Sequence, residues 1–151
     1  MPGEIHVEEA RELFDGLPEV VERLVRQLSR SSPAPSAAEL EEILHSPASH
    51  LLLARDTQGA VVGMLTLAVF RIPTGLRAWI EDVVVDEDSR GQGVGAALTN
   101  AAIRLANAQG ARTVDLTSRP SREAANRLYL RLGFAERETN VYRFEGPSPA
   151  G

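Results

Sequence analysis

The chain has 151 residues, 43% hydrophobic and 25% charged, which suits one globular domain with a sizeable core. It contains no cysteine, which excludes disulfides, thiolate metal sites and a cysteine nucleophile, and His6, His45 and His50 are too scattered for a metal site. With a net charge of −5, no signal-peptide pattern and no apolar run near the roughly 20 residues of a membrane span, the expectation is a cytoplasmic enzyme without metal, nucleic-acid partner or membrane association.

The expected elements begin with a short strand over Glu4–Ala10, where Ile5 and Val7 alternate with polar residues. Leu13, Leu17, Val20, Val21, Leu24, Val25 and Leu28 recur at three- and four-residue steps, an amphipathic helix over 13–28 with Pro18 near its start. A serine- and proline-rich break follows, then a second helix over Ala37–Leu44 with Ser36 as its cap. Strands are expected over Ser49–Asp56, Ala60–Phe70 and Arg77–Asp86, as antiparallel neighbours joined by turns at 57–59 and 72–75. A helix over Gly95–Gln109 closes on Gly110, and a buried strand spans Thr113–Thr117. A helix over 121–132 carries Ala125, Leu128, Tyr129 and Leu132 on one stripe and ends at Gly133. Two last strands are expected over Phe134–Glu136 and Val141–Phe144, with a disordered tail from 146 to 151. The fold class is therefore α/β: one domain over 1–145 with a mixed sheet, antiparallel first strands and a β-α-β crossover.

Charge is uneven along this order. Residues 1–60 carry five Arg against eleven Asp and Glu, whereas 61–151 carry eleven Arg against ten. A polyanionic ligand is expected to prefer the second half, and a cationic amine or polyamine suits the acidic first half.

The chemistry centres on Arg90-Gly91-Gln92-Gly93-Val94-Gly95, between a strand and a helix. Alternate glycines let the backbone turn tightly and approach a ligand closely. The helix N-terminus offers free N–H groups and the positive end of its dipole, and Arg90 adds a full charge. Together these suit a phosphate. The Gly-Lys-Ser/Thr of a nucleotide-triphosphate loop and the full dinucleotide spacing are both missing. From the glycines alone, a tight structural turn is an equal reading.

The segment resembles the acetyl-CoA signature of the GNAT superfamily of N-acetyltransferases, Arg/Gln-x-x-Gly-x-Gly/Ala, with Arg90, Gly93 and Gly95 at its fixed positions. Ile80-Glu81-Asp82-Val83-Val84-Val85 is similar to the strand before that loop, and Ala124 to Phe134 is similar to the family's second signature. The resemblance covers about residues 50–144. It implies an acyl-CoA N-acyltransferase fold splayed around acetyl-CoA. Val83 and Val85, with Val84 less secure between them, would meet the pantetheine arm through their main chain. Arg90, Gly91, Gln92, Gly93, Val94, Gly95 and Ala96 would hold the pyrophosphate, and Asn126 would hydrogen-bond the co-substrate. The family's splay also implies a bulge near Asp82, which the sequence does not itself display.

An amine attacking a thioester needs its proton removed, the carbonyl oxygen stabilised and the leaving thiolate protonated. Tyr129 is the candidate acid, by the resemblance, while its place on the apolar stripe alone reads as core. Glu81 is the candidate base, because a carboxylate inside an apolar strand is uncommon and apolar surroundings strengthen it as a base. A cross-strand partner for Arg71 or Arg77 is the competing reading. Asp82 points the other way, and the Val83 N–H would polarise the acetyl carbonyl by resemblance. Without cysteine, an acyl-cysteine route is closed and direct attack in a ternary complex remains. The acceptor is a small-molecule or peptide amine. Resemblance also implies a homodimer, through the strands near Val141–Phe144. A non-catalytic acetyl-CoA sensor or assembly module, and an enzyme using another acyl-CoA such as succinyl-CoA, remain open.

Overall fold

The computed structural model describes residues 3–147. They fall into two compact units, one ending at Thr117 and the other beginning at Ser118. No helix among the described residues is long and apolar enough to cross a membrane.

The first unit is a five-stranded sheet in the order β1-β2-β3-β4-β5: β1 His6–Ala10, β2 Ser49–Arg55, β3 Val61–Ile72, β4 Gly75–Val85 and β5 Thr113–Asp115. The first four strands are antiparallel neighbours and β5 runs parallel to β4. Between β1 and β2 lie helices α1, Leu17–Leu28, and α2, Ala37–His45, while α3, Val94–Ala108, makes the crossover from β4 to β5. The strand-and-helix order expected from periodicity holds through this unit.

Leu17, Val21 and Leu24 of α1 and Leu40 and Leu44 of α2 are buried with Ala10, Leu51, Leu53, Met64 and Val84 in one core cluster. The helix begins at Leu17 rather than Leu13, because Gly16 takes a left-handed φ of 93° and Pro18 follows in the first turn. Ser36 caps α2 in a full capping box, its hydroxyl accepting from the Glu39 N–H while the Glu39 carboxylate accepts from the Ser36 N–H. The Ser36 backbone N–H first, and the Ser36 hydroxyl second, hold the Glu39 carboxyl below its usual range. On α3, Val94, Leu98, Ala102 and Ala106 are buried, and a Cβ on Gly63 of β3 would meet the Val94 and Leu98 side chains at 2.8 and 3.1 Å. Glycine at 63 is what lets α3 sit this close to the sheet.

The second unit contains α4, Glu123–Arg131, closed by Gly133 with a left-handed φ of 103° and a Phe134 N–H bond to the Tyr129 carbonyl. The two strands expected over Phe134–Glu136 and Val141–Phe144 are not formed. The apolar side chains of the second find no covered face: Val141, Tyr142 and Phe144 are 71%, 88% and 97% exposed. Alternation alone cannot make a strand without a partner for its backbone groups. Of the expected tail, residues 148–151 lie outside the described residues.

Candidate active site

Strand β4 carries one break in its ladder with β3. Glu81 faces Thr66 and Val84 faces Met64, so Asp82 and Val83 together stand opposite Leu65 alone. Asp82 adopts a φ of 51°, the one left-handed non-glycine residue among those described. This is a β-bulge, and it falls where the splay implied one. On its other side β4 pairs with β5 only from Arg77 to Trp79. Beyond Trp79 the two parallel strands part, and the outer edge of β4 from Ile80 to Val85 has no strand partner among the described residues.

The direction of the edge groups follows from alternation. The Asp86 N–H donates to the Val62 carbonyl of β3 at 2.8 Å, so Val84, two residues earlier, also turns its main chain to β3. Val83 and Val85 then turn theirs to the open edge. Val84 lies apart from the other two: its side chain is 5% exposed in the core and its main chain belongs to the ladder. It stands as a core residue between two edge residues.

After β4 the chain makes a short 3-10 turn over Glu87–Ser89, capped by the Asp86 carboxylate, and enters the glycine loop. Gly91 and Gly93 both take left-handed φ values, 79° and 80°, with open space where a Cβ would stand. Gly93 is the N-cap of α3 and supplies no side-chain cap. The first helical bond runs from the Ala97 N–H to the Gly93 carbonyl. The amides of Gly91, Gln92, Gly93, Val94, Gly95 and Ala96 therefore meet no protein acceptor among the described residues. Six unpartnered donors at the positive end of a 15-residue helix, beside an exposed Arg90 without an ion pair among the described residues, are a fitting seat for a diphosphate.

Glu81 lies on the same face of β4 as Trp79, and the Trp79 indole N–H donates to its carboxylate at 3.2 Å. Glu81 is exposed, not enclosed by apolar side chains, because the bulge beside it and the parting of β5 open the strand around it. Among the described residues it pairs with neither Arg71 nor Arg77. Asp115, the last residue of β5, is opposite Trp79 in register and half-buried at the point where the strands part. Sequence reasoning passed over it, since a single Asp at a strand end carries no pattern.

In the second unit Tyr129 is the buried residue of α4, with the Phe134 ring edge-on at 5.8 Å. Burial pushes its phenol above the ordinary value near 10, with the Arg122 charge acting the other way. It is a phenol, not a phenolate, across neutral pH. Asn126 donates its side-chain amide to the Arg119 carbonyl at 3.0 Å and so holds the turn before α4. The Ser118 hydroxyl is buried without a hydrogen-bond partner among the described residues, a polar group that sequence reasoning also missed.

A family model, "Acetyltransferase (GNAT) family", matches residues 17–134. An L-methionine sulfoximine/L-methionine sulfone acetyltransferase of Pseudomonas aeruginosa is 35% identical over 85 residues, 56% of this chain and 49% of that one. The chain thus spans about half the length of that relative. Among solved structures, an aminoglycoside acetyltransferase from an uncultured soil metagenomic sample superposes with a TM-score of 0.81 at 21% identity, covering 95% of this chain and 97% of that one. AAC(6')-Iy in complex with a bisubstrate analogue, CoA-S-monomethyl-acetylneamine, gives 0.76 at 20% identity, covering 95% and 99%. At such identities these two similarities speak to the fold.

Proposed function

Since the chain belongs to the GNAT family of acetyltransferases, we propose that it moves an acetyl group from acetyl-CoA to a primary amine by direct attack in a ternary complex. The row of unpartnered amides from Gly91 to Ala96, next to the open edge of β4, is the observation that carries this reading. Gly91 to Ala96 bind the diphosphate, with Arg90 adding charge. The main-chain groups of Val83 and Val85 hold the pantetheine arm as a neighbouring strand would. The bulge at Asp82 turns the Val83 N–H toward the acetyl carbonyl, where it stabilises the oxygen as it gains charge.

Glu81 takes the proton of the attacking amine, directly or through water, and its exposure on the Trp79 face leaves it open to an incoming acceptor. Tyr129, which burial keeps protonated, supplies a proton to the departing thiolate. Asn126 orients the co-substrate through its remaining carbonyl oxygen. The acceptor enters from the acidic, N-terminal part of the chain, which favours a cationic amine.

The test is a panel of amines with thiol release as readout, run with acetyl-CoA and with succinyl-CoA. L-Methionine sulfoximine and L-methionine sulfone belong in it, because the Pseudomonas relative bears their names. The expected result is thiol release with acetyl-CoA and at least one amine. Tight acetyl-CoA binding without release on any amine would favour a non-catalytic sensor.

A further inference from the structure

We propose that Gln27 of α1 is a positioning residue for the diphosphate loop, acting through the turn at Asp86–Ser89; this rests on the acetyl-CoA reading above. Asp86 follows the last residue of β4, and three groups converge on its carboxylate. Arg23 reaches one oxygen at 3.3 Å, and the Gln27 amide and the Asp88 N–H reach the other at 3.5 and 3.3 Å. Gln27 in turn accepts the Glu87 N–H at 2.9 Å, and Arg23 donates to the Val61 carbonyl at 2.9 Å. One helix face thus grips the start of β3 and the residues just past β4.

The grip matters because of what lies beyond it. The loop is fixed at two ends. At the α3 end the fixing is apolar, through buried Val94 and Leu98. At the other end, Glu87–Ser89 contains no buried residue at all, so polar contacts alone hold the turn. Between the ends, the amides of Arg90, Gly91, Gln92 and Gly93 make no hydrogen bond to protein among the described residues. Beside the Asp86 cap on the Asp88 N–H, Gln27 takes hold of the turn's own backbone from α1, and the Asp86 side chain is only 15% exposed where Arg23 meets it. Donors preset by this grip meet the diphosphate without further ordering, and loosening it weakens diphosphate binding specifically.

Gln27→Met keeps the side-chain length and removes both hydrogen bonds, while Gln27→Glu keeps the acceptor for the Glu87 N–H. The comparison is the Kd of CoA by titration calorimetry against that of S-acetyl-pantetheine, which lacks the diphosphate, with amide exchange over 86–96 followed by mass spectrometry. Gln27→Met is expected to weaken CoA about three- to tenfold, the scale of one or two net hydrogen bonds, with S-acetyl-pantetheine within about twofold. Exchange over 86–93 rises in the free variant and is restored by CoA, and Gln27→Glu, which keeps the acceptor for Glu87 but sets a second carboxylate against Asp86, recovers only part of the affinity. Arg26→Ala on the same helix, whose partner is Glu22 alone, leaves CoA binding unchanged. Equal CoA affinity for Gln27→Met and wild type, or equal weakening of CoA and S-acetyl-pantetheine, would overturn the inference. A wild-type chain that does not bind CoA would instead remove the acetyl-CoA reading on which it rests.

Discussion

The Trp79 indole N–H meets the Glu81 carboxylate at 3.2 Å, two residues along one face of β4 and just before the bulge at Asp82. The bond fixes which way the one carboxylate assigned to proton removal points. It also leaves that carboxylate exposed, so an amine can reach it.

Glu81→Gln is therefore expected to lower kcat by about ten- to a hundredfold, the lower range for loss of a general base. Acetyl-CoA affinity stays within twofold, since the Glu81 side chain is not among the groups proposed to hold the diphosphate and pantetheine. Steady-state kinetics with the best amine of a panel measure both. Unchanged kcat would remove Glu81 from the chemistry and turn attention to Asp115, where β4 and β5 part.

For Tyr129, replacement by Phe keeps the ring against Phe134 and removes only the hydroxyl. A fall in kcat with little change in acetyl-CoA affinity is expected, and unchanged turnover would show that another group protonates the thiolate. A pH signature accompanies it. The folded phenol sits above its ordinary value, so its contribution to stability is complete below about pH 10 and is lost as pH rises through the folded value. The Tm of wild type should approach that of Tyr129→Phe between pH 9 and 11, relative to their difference at pH 8.

Gly93→Ala places a Cβ on a residue with φ of 80°. No neighbour obstructs it, so the cost is backbone strain of about 1–2 kcal/mol, relieved by a loop that moves away from its left-handed form. CoA binding should weaken by more than the thermal stability falls. A variant that binds CoA as wild type does would mean that the amides at the α3 N-terminus are not the seat.

Gly63→Ala tests the packing of α3. Its Cβ would lie 2.8 Å from Val94 and 2.9 Å from the Val84 carbonyl, which is backbone and yields little. A loss of about 1–3 kcal/mol is expected from such crowding, read as a lower midpoint in urea. A wild-type midpoint would show that α3 can withdraw without cost.

Much of this was legible in the chain. Three-and-four spacing announced α1 and α3, and the serine- and proline-rich break followed by Ser36 announced the capped start of α2. The glycines at 91, 93 and 95 announced a tight strand-to-helix junction, and Gly91 and Gly93 take left-handed φ there. What escaped depends on counting across strands or on distant partners. The bulge exists because Asp82 and Val83 share one partner, Leu65, and nothing in Glu-Asp-Val-Val reveals that mismatch. Glu81 reads as enclosed in an apolar string and is exposed because β5 parts from β4 after Trp79. Val84 is the less secure contact of the three valines, and alternation sends it to the core. Gln27 has no pattern at all, since its partners lie 59 and 60 residues away. At the C-terminal end, Val141–Phe144 alternates like a strand but is exposed and unpaired.

The most direct test is a CoA titration followed residue by residue through backbone amide NMR shifts. The account predicts the largest changes at Gly91, Gln92, Gly93, Val94, Gly95 and Ala96, with a second group at Val83 and Val85 and little at Val84. Shifts that spare the loop while CoA binds, or Val84 moving as much as its neighbours, would contradict it.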